Sequence, residues 1–318
     1  MGYENLTKNG IQAVTEINRP ATNGYSFLFV VNPIAGGKDK GSWTEIIETY
    51  LKDQPHTAFF YETTGEQDAE RLARCIRAHR PDRLVAVGGD GTFRLVAEQG
   101  AKNQLPVGIL PAGSANGMAR ELGLPMDMQD ALEVILGQSE TTIDAVRVNG
   151  HLSLHMSDVG LNAQLIEYFE QSPGRGWWGY AREVVKTLRQ SRIVTAKIWL
   201  DKKLIRKRAA MIILANGRTY GTGVVVNENG RLTDGQFEVI ILKQVTLWRI
   251  FCSLLSRKST SGTDQKVYCG KQLELKLPVR MPFQVDGEFI GHTRTVNATA
   301  LPNYVRVLTL PKANPASK

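Results

Sequence analysis

Four short apolar runs, SFLFVVN (26–32), TAFFYET (57–63), RLVAVGG (83–89) and LPVGILPAG (105–113), each stop at Gly, Asn, Thr or Pro. Near-continuous apolar runs of this length, bounded by breakers, read as strands buried on both faces, and such strands belong to parallel sheets covered by helices. The intervals carry the other period. Trp43, Ile46, Ile47, Tyr50 and Leu51 recur at helical spacing behind Ser42 and Glu45, which are placed as a capping box. Ala69, Leu72, Ala73 and Ile76 make a second stripe, and Ala131, Leu132, Ile135 and Leu136 a third behind the cap Asp127. Strand and helix thus alternate to about residue 140, so the first half is expected to be an α/β domain, a parallel sheet with helices on both faces.

The texture changes after TTIDAVRVNG. Asn149-Gly150 signals a tight hairpin, because both residues accept positive φ. The runs VTAKIWL, AAMIILA, GQFEVIIL, QLELKL and YVRVLTL follow, with one helical interruption around GYAREVVKTLRQ. A mostly antiparallel β domain is expected there. At 318 residues the chain has room for both. The domains are expected at 24–142, with a strand returning at about 302–312, and at 143–301.

The turn VAVGGDGTFR (85–94) ends an apolar run with three glycines and a single acid. Ligands of open parallel sheets bind beyond the carboxyl ends of the strands. Gly88, Gly89 and Gly91 lack a Cβ, so their N–H groups can approach a phosphate, and the helix starting near Thr92 adds its positive end. A carboxylate there repels phosphate unless a cation intervenes, so Asp90 points to Mg²⁺; as a lone turn, it reads equally as an N-cap. The runs VVNPIAGG and LPAGSANGMA end in the same side-chain-poor way. Neither G-x-x-x-x-G-K-[ST] nor G-x-G-x-x-G occurs in these turns, which argues against P-loop NTPases and ordinary dehydrogenases.

A formal charge of +8 favours an anionic partner or a basic solvated surface. The basic residues are scattered without an aromatic platform, so nucleic acid is not expected. Cys75, Cys252 and Cys269 form neither a disulfide framework nor a metal spacing, which fits a reducing cytoplasm. With no apolar segment of about 18 residues, the chain is expected to touch a membrane only from outside.

Taken together and in order, these motifs resemble the diacylglycerol kinase catalytic-domain family. Its members are soluble bacterial lipid kinases related to sphingosine and ceramide kinases, and more distantly to NAD kinases and phosphofructokinases. NP-x-x-G is Asn32, Pro33 and Gly36; GGDGT is residues 88–92; LP-x-G-[ST]-x-N is Leu110, Pro111, Gly113, Ser114 and Asn116. NGRTYGTGVVVNENGRLTDGQFEV (216–239) and FQVDGE (283–288) continue the match. The resemblance implies an ATP-binding α/β domain, a β-sandwich holding the lipid acceptor, and an active site in the cleft between them. It implies nucleotide contacts at Asn32, Pro33, Gly36, Thr63, Gly88, Gly89, Asp90, Gly91, Thr92, Ser114 and Asn116, with Asp90 also counted as catalytic. Glu288 falls at the general base, and like-charge repulsion from Asp286 would suit that role. Arg231, Asp234 and Gln236 match a Mg²⁺ site, Asp234 by its carboxylate and the other two by carbonyls.

The function implied is ATP- and Mg²⁺-dependent phosphorylation of a lipid hydroxyl, first of all diacylglycerol. A sphingosine-type or other lipid kinase, a kinase of a soluble acceptor, and a catalytically silent lipid- or nucleotide-binding regulator stand as alternatives. The partners expected are ATP, the lipid and, transiently, the anionic inner face of the membrane, with a homodimer left open. Three positions depart from the family pattern: Arg94 and Asn162, where relatives carry Asn and Asp, and Gly117, where Asp is common. Trp177, Trp178 and Tyr180 with Arg175 and Arg182 suit either a membrane interface or helix packing, and KKLIRKR (202–208) either anionic lipid or a solvated hairpin.

Overall fold

The computed structural model describes residues 24–35, 43–171, 193–220, 224–225, 227, 230–243 and 265–311. They divide into two compact units, Met1–Ile143 with Val305–Lys318, and Asp144–Tyr304.

In the first unit, β1 (Ser26–Val31), α1 (Trp43–Leu51), β2 (Thr57–Glu62), α2 (Asp68–His79), β3 (Arg83–Gly88), α3 (Asp90–Asn103), β4 (Val107–Pro111), α4 (Gly117–Glu121) and α5 (Met128–Leu136) follow one another. The strands lie in the order β2-β1-β3-β4, all parallel. Burial on both faces explains the unbroken apolar runs: Phe27, Leu28, Phe29 and Val30 are all fully buried. Phe27, Phe29, Val85 and Val87 pack with Ile47 and Leu51 of α1 and Leu132 and Ile135 of α5. Leu28, Val30, Leu84 and Ala86 alternate onto the opposite face and are equally buried. Asp127 caps α5, its carboxylate accepting from the N–H groups of Gln129 (2.9 Å) and Asp130 (3.3 Å). Ser42 and Gly36 lie outside the described residues.

The order β2-β1-β3 has a functional consequence. The chain leaves β1 for β2 on one side and returns to pair β3 on the other, so the crossover direction reverses between β1 and β3. In an open α/β sheet that reversal opens a crevice at the carboxyl ends of the two strands.

Strand β5 (Glu140–Val148) leads into β6 (His151–Ser153) through Asn149 and Gly150, at φ 47° and 88°. The second unit continues with β7 (Met156–Gly160), α6 (Leu161–Gln171), β8 (Val194–Leu200), β9 (Lys203–Ala209), β10 (Met211–Ala215), β11 (Thr219–Tyr220), β12 (Val224–Val225), β13 (Phe237–Leu242), β14 (Gln265–Gly270), β15 (Gln272–Val285) and β16 (Glu288–Leu308). Its main path, β14-β13-β10-β7-β15-β16, is antiparallel throughout, as are β15-β8-β9. Alternation is plain in β8, where Val194, Ala196, Ile198 and Leu200 point into the core. The end of β16 belongs to the first unit, where Val307 pairs in parallel with Val107.

Helix α6 is not among the helices the apolar periods predict. It forms because the buried Asp158 accepts from the N–H of Ala163 (3.0 Å) and the amide of Asn162 (2.7 Å), satisfying groups at the helix start. The helix expected around GYAREVVKTLRQ, with Arg175, Trp177, Trp178, Tyr180 and Arg182, lies outside the described residues.

Candidate active site

Three side-chain-poor loops leave the carboxyl ends of β1, β3 and β4 at the crevice-forming edge, and their backbones hold one another. Asn32 N–H donates to the Val87 carbonyl (3.0 Å) and Ala112 N–H to that of Gly88 (3.1 Å). The glycines are dictated by contact. A Cβ on Gly113 would lie 2.5 Å from the Gly89 Cα, and one on Gly88 would lie 2.4 Å from the Thr92 hydroxyl. Gly91 is exposed at the start of α3, whose first-turn N–H groups, as at any helix start, have no intrahelical partner.

The side chains left in these loops hold the backbone. Asn116, left-handed at φ 49°, accepts from Gly113 N–H and donates to the Gly113 carbonyl (both 2.9 Å). The Asn32 side-chain oxygen accepts from Ile34 N–H (3.2 Å), which folds the exposed Pro33-Ile34 turn. The two oxygens of Asp90 accept from Gly117 and Met118 N–H (both 2.9 Å), tying the β3 loop to the start of α4. Ser114 is exposed, and Thr63, half-buried, donates its N–H to the Val31 carbonyl (2.9 Å). The next loop is held by Asp68. Burial alone would raise its carboxyl, but hydrogen bonds from Thr64, Tyr61 and Gly65 keep it below the ordinary carboxylate range.

In the second unit, Asp286 and Gly287 form the two-residue turn between β15 and β16, at φ 46° and 87°, with Glu288 exposed immediately after it. Asp286 accepts from the Ser153 hydroxyl (2.9 Å) and the N–H groups of Leu154 (2.8 Å), His155 (3.1 Å) and Met156 (2.9 Å). These four bonds anchor the turn that carries Glu288.

The loop at 231–236 is fastened similarly. Asp144, 2% exposed, accepts from Gly235 N–H (2.6 Å) and Asn303 N–H (2.7 Å) and gives its own N–H to the Leu232 carbonyl (2.7 Å). Buried Asn216 donates to the carbonyls of Asp144 (2.9 Å) and Leu154 (2.8 Å), joining this loop to the segment that anchors the Glu288 turn. Neither Asp144 nor Asn216 was predicted as a site residue; the available signal was an acid interrupting the apolar run TTIDAVRV.

Within the loop, Asp234 is exposed and accepts from Gln236 N–H (3.1 Å), and Arg231 is exposed. Behind it, Glu238 is 4% exposed, with one carboxylate oxygen lacking a partner among the described residues. Burial pushes its carboxyl up to about 7, with the charge of Asp234 adding and Asn227 working against the rise. Two neighbouring acids, one with an orphaned oxygen, suit a hard divalent cation bound through oxygen. Among the described residues no three His, Cys, Asp or Glu side chains cluster, so such an ion would complete its shell with carbonyls and water.

Comparison with known proteins covers both units. Residues 26–148 match the diacylglycerol kinase catalytic domain, and residues 158–309 the YegS C-terminal NAD kinase beta sandwich-like domain. A Staphylococcus haemolyticus protein named diacylglycerol kinase is 26% identical over 259 residues, spanning 78% of this chain and 77% of its own. A Bacillus subtilis protein of the same name is 26% identical over 242 residues, 73% of this chain and 79% of its own. A solved structure described as a diacylglycerol kinase, from Bacillus anthracis, shares the fold with a TM-score of 0.68 at 18% identity, covering 91% of this chain and 98% of that one.

Proposed function

Because the chain belongs to the diacylglycerol kinase catalytic-domain family and is a lipid kinase, we propose that it transfers the γ-phosphate of ATP, with Mg²⁺, to the hydroxyl of diacylglycerol. The observation that carries the nucleotide assignment is the close backbone approach of Gly89 and Gly113, beside Gly88, at the sheet's reversal point, where a Cβ on Gly113 would intrude. Phosphoryl transfer needs alignment and charge neutralisation more than covalent chemistry, so amides, a cation and one base form a sufficient set.

In this reading Asn32, Pro33, Gly36, Thr63, the 88–92 turn, Ser114 and Asn116 line the nucleotide, Asn116 and Asp90 mainly by fixing the loops. Glu288 accepts the proton of the lipid hydroxyl as its oxygen bonds to the γ-phosphorus; the bond from that phosphorus to the β,γ-bridging oxygen breaks and ADP leaves. Asp234, with carbonyls of Arg231 and Gln236, would hold Mg²⁺. When bound there the ion supplies positive charge against the phosphates. No helix among the described residues is long and apolar enough to cross a membrane; in this reading the enzyme is cytoplasmic and meets an anionic membrane face transiently. Exposed Lys203, Arg206 and Arg208 on β9 offer that face positive charge.

The test is incubation with labelled ATP, Mg²⁺ and a panel of lipids in mixed micelles, beside Asp90→Ala and Glu288→Ala. Labelled phosphatidic acid from diacylglycerol is the expected product. Label in sphingosine or in a soluble acceptor would reassign the substrate, and none in any acceptor would end the proposal.

A further inference from the structure

Asp158 on β7 and Gln284 on β15 stand directly opposite each other, are 1% and 0% exposed, and take no part in the chemistry proposed above. The Gln284 amide donates to Asp158 at 2.5 Å, and its oxygen accepts from Gly287 N–H at 2.8 Å. Asp158 also accepts from the Asn162 amide and Ala163 N–H, so a continuous run of hydrogen bonds joins the start of α6 to the turn before Glu288. The amide cannot flip, because one neighbour only accepts and the other only donates. Both side chains are buried, so water competes little for these bonds. An acid needed only to start α6 would not call for a buried amide between it and the catalytic turn.

Building on the assignment of Glu288 as base, we propose that Gln284 and Asp158 are positioning residues for it. Asp286 anchors the turn on one side through residues 153–156, and the Asp158–Gln284 relay fixes Gly287 on the other, so the backbone that carries Glu288 is held from both sides.

The test uses the full chain, with kcat and KM for ATP measured on diacylglycerol micelles, and with glycine-specific ¹⁵N labelling to follow exchange of the Gly287 amide. Gln284→Leu should lower kcat by roughly 10- to 100-fold with KM for ATP nearly unchanged, since a misplaced group costs turnover rather than nucleotide binding. Its Gly287 amide should exchange at least about tenfold faster once the acceptor is gone. In the Glu288→Gln background the same substitution should cost nothing more, because it acts through a group already removed. Gln284→Glu should recover activity at low pH and lose it as pH rises, since two buried carboxylates can keep this geometry only by sharing a proton. Multiplicative losses in the double variant, or a Gly287 amide indifferent to Gln284→Leu, would overturn the proposal. Wild-type turnover by Glu288→Gln would refute the base and with it the purpose of the relay; faster Gly287 exchange in Gln284→Leu would still separate that failure from one of the relay itself. Should Gln284→Leu not fold, Gln284→Glu at two pH values decides.

Discussion

The glycine loops of the first unit and the acidic turns of the second reach positional accuracy by opposite means. Around Gly88, Gly89 and Gly113 the backbones touch, and the remaining side chains, Asp90 and Asn116, point back at main-chain groups. Around Asp144, buried, and Asp286, half-buried, the side chains are hubs, each accepting two to four donors distant in sequence. The difference suits the two tasks proposed for them. A polyanion is best met by many N–H groups with no side chain between, whereas one proton acceptor must be held by the network behind it.

The largest effect should come from the second region. Glu288→Gln is isosteric and removes the proposed proton acceptor, so turnover should drop by about 10² to 10⁴ while the unfolding temperature stays within experimental scatter. A fall in both would mean the exposed carboxylate is structural and would erase the contrast. The first region should respond in stability. Gly113→Ala drives a Cβ to 2.5 Å from the Gly89 Cα, a clash with backbone that cannot rotate away. Denaturant unfolding should show a loss of about 1–3 kcal/mol. Gly89→Ala makes only an ordinary 3.5 Å contact and should cost far less. Equal losses would show that the close approach is not what selects glycine.

The same division governs what the sequence makes legible. The strands β1 to β4 announce themselves because burial on both faces leaves no polar interruption, and glycines after them are visible because a missing side chain is itself a local signal. Helix α6 escapes the periodicity because its start depends on Asp158, a tertiary acceptor. The full lengths of β15 and β16 escape because the β15–β16 ladder shifts register between Lys276 and Met281, near Pro278 and Pro282, blurring the alternation. The role of Asp90 is hidden because its partners are 27 and 28 residues away. Those of Asp144 lie 91 and 159 residues away. Loop composition is local information; the grip on a carboxylate is not.

The two units should also answer pH in opposite directions. Glu238 has a carboxyl raised to about 7, above its unfolded value of 4.5, so the folded state binds the proton more tightly. That stabilisation is fully present below about pH 4.5 and is lost as pH rises through about 7, a swing of roughly 3 kcal/mol. Glu238→Gln removes the titrating group, and the slope of unfolding free energy against pH should flatten over that interval. An unchanged slope would place the titration elsewhere.

The smallest effect belongs to His56 in the first unit. Its Nδ1 accepts the Tyr25 N–H (3.1 Å), its ring stacks on Tyr25, and partial burial first, then the charge of Arg83, lowers its pKa below the usual 6.5. Protonation would remove the acceptor and set a second cation near a guanidinium that already lies 3.8 Å from the Tyr25 ring centroid. The folded pKa being depressed, this contribution is present above pH 6.5 and is lost as pH falls through the folded value. Because the ring is only half-buried, solvent screens the effect to about a few tenths of a kcal/mol. Unfolding curves between pH 5 and 7.5 for the wild type and His56→Gln should therefore diverge slightly at the acid end, against the trend from Glu238. Should acid stabilise the wild type more than His56→Gln, the imidazole is paired with a carboxylate in solution, and the first unit, like the second, holds its proton by charge.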